Sequence, residues 1–268
     1  MPEPKPTPSA AARRESVART LWVALVVSLV CSSLVASAAV LLKPKQVENA
    51  QLEMRRNILE VADLPEGAGG IEERFESIEP RVVDLETGAY VDDVDASQFN
   101  PIEAARDPNH SVAVPPEIDV ARLGRRADRA LVYLVRRHGE IHRIILPVWG
   151  YGLWSTMYGF VALESDGNTI ADITFYSHGE TPGLGDFIDE PDWRALWRGK
   201  QVFDESGDVA IRVKKGRVSA DDPRARFLVD GVSGATLTGN GVTNLMQYWF
   251  GEHGYGPYLR ELRGGTES

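Results

Sequence analysis

A single cysteine, Cys31, stands among 268 residues. That excludes a disulfide framework, a CxxC redox centre and a cysteine-ligated iron–sulfur cluster. Any redox chemistry must therefore reside on something other than the chain's own thiols. A basic surplus is also missing: 39 acidic side chains outnumber 29 basic ones, for a formal charge of −10. A general nucleic-acid binder needs a basic stripe to neutralise phosphates, so no nucleic-acid partner is expected. No G-x-G-x-x-G follows a strand pattern and no Walker lysine occurs, which removes the Rossmann and P-loop nucleotide sites. No internal repeat is evident. What remains, 43% hydrophobic and 25% charged residues, is the composition of a globular protein of one or two domains.

The average hides an asymmetry. Residues 20–42 carry no charge and are mostly Leu, Val, Ala and Ser, a run of 23 residues. At 1.5 Å per residue this spans a hydrocarbon core of about 30 Å. Cys31 falls inside it. Arg13, Arg14 and Arg19 precede the run, and Lys43 and Lys45 follow it, so the flanks alone orient it weakly. Residues 1–42 carry a net +2, leaving −12 for the rest. An acidic domain with an arginine-rich stub before the anchor is expected to lie outside the cytoplasmic membrane. The alternative is a cleaved signal peptide, since Ala36, Ser37 and Ala38 have the small-x-small form of a cleavage site. The length of the run favours a retained anchor. Four prolines within residues 2–9 mark a disordered first tail.

Beyond the anchor, residues 45–64 read as a helix, with Val47, Ala50, Met54, Ile58 and Val61 on one apolar face. A Pro- and Gly-rich stretch at 65–70 ends it. A short helix at 71–78 and a strand at 81–85 follow, and residues 92–118 read as a long irregular connection. Strand patterns at 131–135 and 141–148 flank a hairpin turn, and those at 160–163 and 170–176 flank Asp166, Gly167 and Asn168. A short helix at 191–197, strands at 209–213 and 226–229, and a helix at 238–250 complete the pattern. Hairpins with helices at the ends predict an α+β fold.

Some tempting motifs carry little. His138 and His142 lack the HExxH pattern and a third ligand, so an exposed turn outweighs a metal site. Residues 231–235, GVSGA, miss the last glycine of a serine-hydrolase elbow. Two segments are harder to dismiss. SHGETPGLG at 177–185 follows a strand, and its glycines allow backbone to approach a planar ligand; an ordinary surface loop is the alternative. DGVSGATLT at 230–238 joins a strand to a helix, where uncovered N–H groups make an anion site and a phosphate is the natural guest. The alternative there is a helix capped by Thr236 or Thr238 with no ligand.

Residues 230–236 match D-x-x-[ST]-G-A-T at every specified position. They resemble the flavinylation motif of proteins that carry FMN through a phosphoester to the last threonine. ETPGLG at 180–185, GLWSTMYGF at 152–160 and the tail YWFG…GYGPYL at 248–259 complete a resemblance to the NqrC family, the C subunits of the Na⁺-translocating NADH:quinone reductases. The G subunit of the Rnf electron-transport complex shares the acceptor motif and a similar ETPGLG loop. The Trp154 segment and the tail favour the quinone-reductase branch.

The resemblance implies FMN covalently bound to Thr236, transferred from FAD by a flavin transferase. Asp230, Ser233, Gly234 and Ala235 would shape the phosphate nest or be recognised by that enzyme. The ring would lie against Thr181 and Leu184 with Trp154 as a wall, and Glu180 and His178 would tune its potential or simply hydrogen-bond the loop. No catalytic base and no metal site is implied. The domains would be a disordered cytoplasmic tail (1–19), a transmembrane helix (20–42), a membrane-proximal helical and irregular part (43–130) and an extracytoplasmic FMN-binding domain (131–268). The chain would be one single-pass subunit in a bacterial inner membrane, with partners of the A, B, D, E and F types. Its complex would oxidise NADH, reduce ubiquinone and export Na⁺. Electrons would pass from a membrane-embedded iron–sulfur centre through this FMN to a second covalent FMN on the partner of the B type. A membrane-anchored assembly domain without flavin is the reading from another class; the intact acceptor motif speaks against it.

Overall fold

The computed structural model describes residues 17–64 and 70–266. Most of the expected disordered tail, and the Pro- and Gly-rich stretch at 65–69, lie outside the described residues. The first compact unit ends at Gln51 and the second runs from Leu52 onward. Helix α1 (Val17–Val61) already contains residues 17–19, which were expected in the tail, and within the first unit its large apolar side chains from Leu21 to Val47 are uncovered. It is long and apolar enough to cross a membrane, and Cys31 is exposed on it. A membrane span at 20–42 and a helix at 45–64 leaving the membrane were expected. One continuous helix is found with Pro44 inside it. The proline forgoes a single backbone bond, and the ladder resumes on either side.

The second unit is built on a six-stranded antiparallel sheet. Its strands are β1 (Ile78–Asp84), β2 (Tyr90–Val91), β5 (Arg129–Arg137), β6 (Glu140–Tyr151), β7 (Thr156–Glu164) and β8 (Ile170–Ser177). The order across the sheet is β2-β1-β5-β6-β7-β8. Part of the expected membrane-proximal segment thus pairs directly with β5 in the same sheet. Ile78 opens β1, so helix α2 (Ile71–Phe75) is shorter than the sequence suggests. The connection at 92–118 is less irregular than expected. It holds a short helix α3 (Pro101–Ala104), capped by the Asn100 side chain, and a strand β3 (Ser111–Ala113), paired with β4 (Arg125–Ala127). The β5–β6 hairpin turns through His138 (φ 55°) and Gly139 (φ 87°), the left-handed pair that a two-residue turn needs.

Both sheet faces are covered, which explains why the strands read as nearly continuous apolar runs. Along β5, Leu131, Tyr133 and Val135 point to one face and Ala130, Val132 and Leu134 to the other. The first face packs against the last turns of α1 through Ile58, Leu59, Val61 and Ala62. The second forms the main core under helix α5 (Thr236–Phe250), which buries Val242, Leu245, Met246, Trp249 and Phe250 at helical spacing. Between these lie helix α4 (Pro191–Ala195) and a parallel pair, β9 (Arg212–Lys214) beside β10 (Leu228–Asp230).

The corner from α5 into helix α6 (Gly256–Thr266) is locked by aromatic hydrogen bonds. Trp249 Nε1 donates to the Trp149 carbonyl at 2.6 Å. The fully buried Tyr255 hydroxyl lies 2.9 Å from the Pro147 carbonyl and 3.1 Å from that of Leu131. Burial keeps this phenol protonated, since it holds the pKa well above its ordinary value. Tyr255→Phe removes only the donor and leaves two buried carbonyls short of a partner. It is expected to destabilise the second unit by about 1–2 kcal/mol, read as a lower urea midpoint by tryptophan fluorescence of the detergent-solubilised chain.

Candidate functional site

Three segments meet where α5 begins. The β6–β7 turn supplies Gly152, Leu153, Trp154 and Ser155, and it is closed by the Gly152 N–H to Ser155 carbonyl bond of 2.8 Å. The loop after β8 supplies residues 178–185. The loop after β10 supplies residues 231–235. The Glu180 side chain, 4% exposed, joins the first two to the helix. Its Oε1 accepts from the Leu153 and Trp154 N–H groups at 3.0 and 3.1 Å. Its Oε2 accepts from the Thr238 hydroxyl at 2.7 Å.

Glycines make room for this carboxylate. A Cβ on Gly152 would overlap Oε1, and one on Gly185 would come within 2.9 Å of Thr238 Oγ1. A Cβ on Gly241 would press on Gly152 Cα at 2.9 Å. The loop is braced further out. The Gly179 N–H donates to Ser155 Oγ at 2.6 Å, and the Thr181 carbonyl accepts from the Leu184 and Gly185 N–H groups. His178 Nδ1 accepts from the Glu180 N–H at 3.2 Å, so Nε2 carries the proton in its 2.6 Å bond to Asp189. The histidine thus orients the loop on either side of Glu180.

The second loop contacts the third. Gly234 has φ 87°, and a Cβ on it would sit 3.4 Å from Leu184 Cδ2. The leucine therefore lies over the glycine of the acceptor motif. Asp230 is anchored, not free: Oδ1 accepts from the Val218 N–H, and its carbonyl accepts from Trp193 Nε1, both at 2.8 Å. Ser233 is exposed, and Ala235 is buried in the main core.

The helix starts at Thr236, two residues earlier than its apolar pattern indicates. Its N-cap is Ala235, with no side-chain capping bond. Neither Thr236 nor Thr238 caps it, so the first-turn N–H groups remain open toward the loop. The two threonines differ sharply. Thr236 is exposed, whereas Thr238 is 1% exposed and spends its hydroxyl on Glu180.

Around Thr236 lies an uncovered apolar patch. Of the nine large hydrophobic side chains exposed in the described residues after 52, five sit on these segments: Leu153, Trp154, Leu184, Val232 and Leu237. Trp154 is 64% exposed and Leu184 48%. Such a concentration marks a surface built to be covered. Beside it, a shallow surface depression is lined by Thr236 and by Lys214 and Lys215. The sequence reading missed these lysines. They reach the site only through the parallel pairing of β9 with β10, which leaves no local signal. His138 and His142 stay apart from all this, on the β5–β6 turn and on β6.

The comparisons agree with this geometry. Residues 152–251 match the FMN-binding domain family. The chain is therefore a flavin-binding domain protein carrying an N-terminal apolar helix. It is 49% identical to the C subunit of the Na(+)-translocating NADH-quinone reductase of Pseudomonas aeruginosa, over 95% of this chain and 99% of that one. The corresponding protein of Yersinia pestis is 48% identical over 94% and 95%. The crystal structure of Shewanella oneidensis NqrC superposes with a TM-score of 0.73 at 40% identity, covering 79% of this chain and 97% of that one. The chain belongs to the NqrC family, the C subunits of the Na⁺-translocating NADH-quinone reductases, and the Rnf alternative falls away.

The residues present fit an FMN. The open first turn of α5 suits a phosphate, and the uncovered Leu153, Trp154, Leu184 and Leu237 suit an aromatic ring. Gly234, at φ 87°, sets the backbone of the third loop against Leu184, between these two features. Because Glu180 ties the Trp154 turn and its own loop to α5, Glu180→Ala leaves three donors without an acceptor and is expected to cost about 3 kcal/mol. Glu180→Gln keeps an oxygen for the two N–H groups and an amide that donates to Thr238, and is expected to stay within about 1 kcal/mol of the parent. Urea unfolding of both variants checks the pair; equal losses would show that the hydrogen bonds are not what matters.

Proposed function

We propose that the chain is the electron-carrying NqrC component of its complex, with FMN held through a phosphoester to Thr236. The observation that carries this reading is the contrast between the two threonines of one helical turn. Thr236 offers an exposed hydroxyl beside open N–H groups, whereas the Thr238 hydroxyl is buried and engaged. Bound FMN supplies reversible electron uptake, which no side chain here provides. Thr181, Leu184, Gly234 and Trp154 border the ring, and Ser233 and the backbone of 234–236 border the phosphate. Glu180 holds the Trp154 turn and its own loop against the first turn of α5. No group placed as a general base or hydride donor is needed, because the task is to hold a carrier and leave an edge open to partners.

The wider reading follows from the family. Electrons would run from NADH toward ubiquinone with Na⁺ export, through the other subunits of the complex. A flavin transferase would load Thr236 from FAD. The apolar helix would anchor the chain once in the inner membrane, with the acidic unit outside the cytoplasm.

Co-expression with an active flavin transferase tests the core of this. The denatured full chain is expected to fluoresce in the gel and to weigh one FMN more, less water. Thr236→Ala is expected to be dark and unshifted. Label persisting in that variant would move the linkage to Ser233 or another hydroxyl. A dark parent chain, with the transferase active on a control, would leave an anchored assembly domain.

A further inference from the structure

We propose that Lys215 is the cation that receives the phosphate at Thr236, both as it arrives and in the finished phosphodiester. The inference rests on the reading of Thr236 as the acceptor. The β9–β10 register pairs Lys214 with Asp230, so the next residues, Lys215 and Gly231, leave the two strands side by side. Lys215 and Thr236 line the same shallow depression, whose open side leaves room for a group standing out from the surface. Gly231 has to be glycine here, since a Cβ would run into the Lys214 carbonyl. The two lysines are not equivalent. Lys214 Nζ is bound to Asp222 at 3.0 Å and is neutralised by it. Lys215 is exposed and enters no salt bridge among the described residues. An unpaired ammonium is thus left on a residue that shares its depression with Thr236, in a part of the chain that otherwise carries a large acidic surplus.

The transfer has a definite charge balance. Thr236 Oγ attacks the FMN phosphorus of FAD, and the bond from that phosphorus to the bridging oxygen breaks. AMP leaves with that oxygen, and the hydroxyl proton goes to solvent or to the transferase. One negative charge stays on the phosphodiester, and more is spread over the phosphoryl oxygens during the exchange. A lysine at this point favours both states without taking part in bond making.

The test uses the full-length chain in detergent, FAD and the active transferase, with loading followed by intact mass and gel fluorescence. Lys215→Gln is expected to slow initial loading about tenfold, and Lys215→Glu further. Lys215→Arg is expected to stay within about twofold of the parent. Prolonged incubation then yields loaded Lys215→Gln for phosphorus NMR, where its phosphodiester resonance is expected to be displaced from that of the parent. Parent-like loading of Lys215→Gln overturns the proposal. So does slow loading with an unmoved resonance, which would make Lys215 a docking contact for the transferase. A parent chain that never loads would instead overturn the Thr236 reading itself.

Discussion

The Glu180 carboxylate is the constraint on which the site depends. It is buried, and no salt bridge engages it among the described residues. A buried anion held without a cation is costly unless donors converge on it. Two backbone N–H groups and one hydroxyl do so, from segments 26 to 58 residues away in sequence. Each of these bonds is charge-assisted, and each fails if its loop drifts by an ångström. The glycines at 152 and 185 follow from the same constraint, because side chains there would meet Glu180, and Gly241 lets α5 approach the backbone of Tyr151 and Gly152. One acidic residue therefore sets the spacing of the Trp154 turn, the Leu184 loop and the first turn of α5.

Much of this was legible in the sequence, for reasons that differ by element. The hairpins declared themselves through turn chemistry at Gly139 and at Asp166–Gly167, since few residues accept those dihedrals. The apolar helix declared itself through length alone. The boundaries were less legible. β1 begins three residues before its pattern does, because Glu79 and Pro80 are polar or turn-like yet pair with β5. α5 begins at Thr236, because the loop bond from the Ala235 N–H to Val232 and the Glu180–Thr238 bond fix that turn, and neither is visible locally.

The site divides the same way. The acceptor motif and the ETPGLG loop stood out as strings, but their contact at Gly234 and Leu184 is a tertiary fact. Lys214 and Lys215 had no signal at all, since they lie more than 20 residues before the acceptor and arrive by parallel pairing. Residues expected to face a cofactor also turned out to have structural work. Asp230 fixes the strand end, His178 fixes the loop, and Ala235 fills the core. A family motif therefore mixes residues that meet the ligand with residues that shape the loop.

A carrier tethered at Thr236, as proposed, would be only as well placed as the strand and loop that lead to that residue. Helix α4 secures that strand from beneath. Trp193 donates to the carbonyl of Asp230, the last residue of β10. Its neighbour Arg194 reaches the other way, to the Ile173 carbonyl in β8 and to Glu60 near the end of α1, both at 2.6 Å. Asp172 completes the cluster through Arg198 at 2.8 Å. Two adjacent residues of one short helix thus join the base of the acceptor loop to the last turns of α1 and to the sheet between them. Single exposed ion pairs contribute little to stability, but Arg194 is mostly covered and its backbone bond is directional. The benefit is geometric: the loop bearing Thr236 cannot shift against the end of α1 without breaking a hydrogen bond at Trp193 or Arg194. On the proposed reading of Thr236 as the attachment point, that rigidity would complement a bond to the cofactor itself.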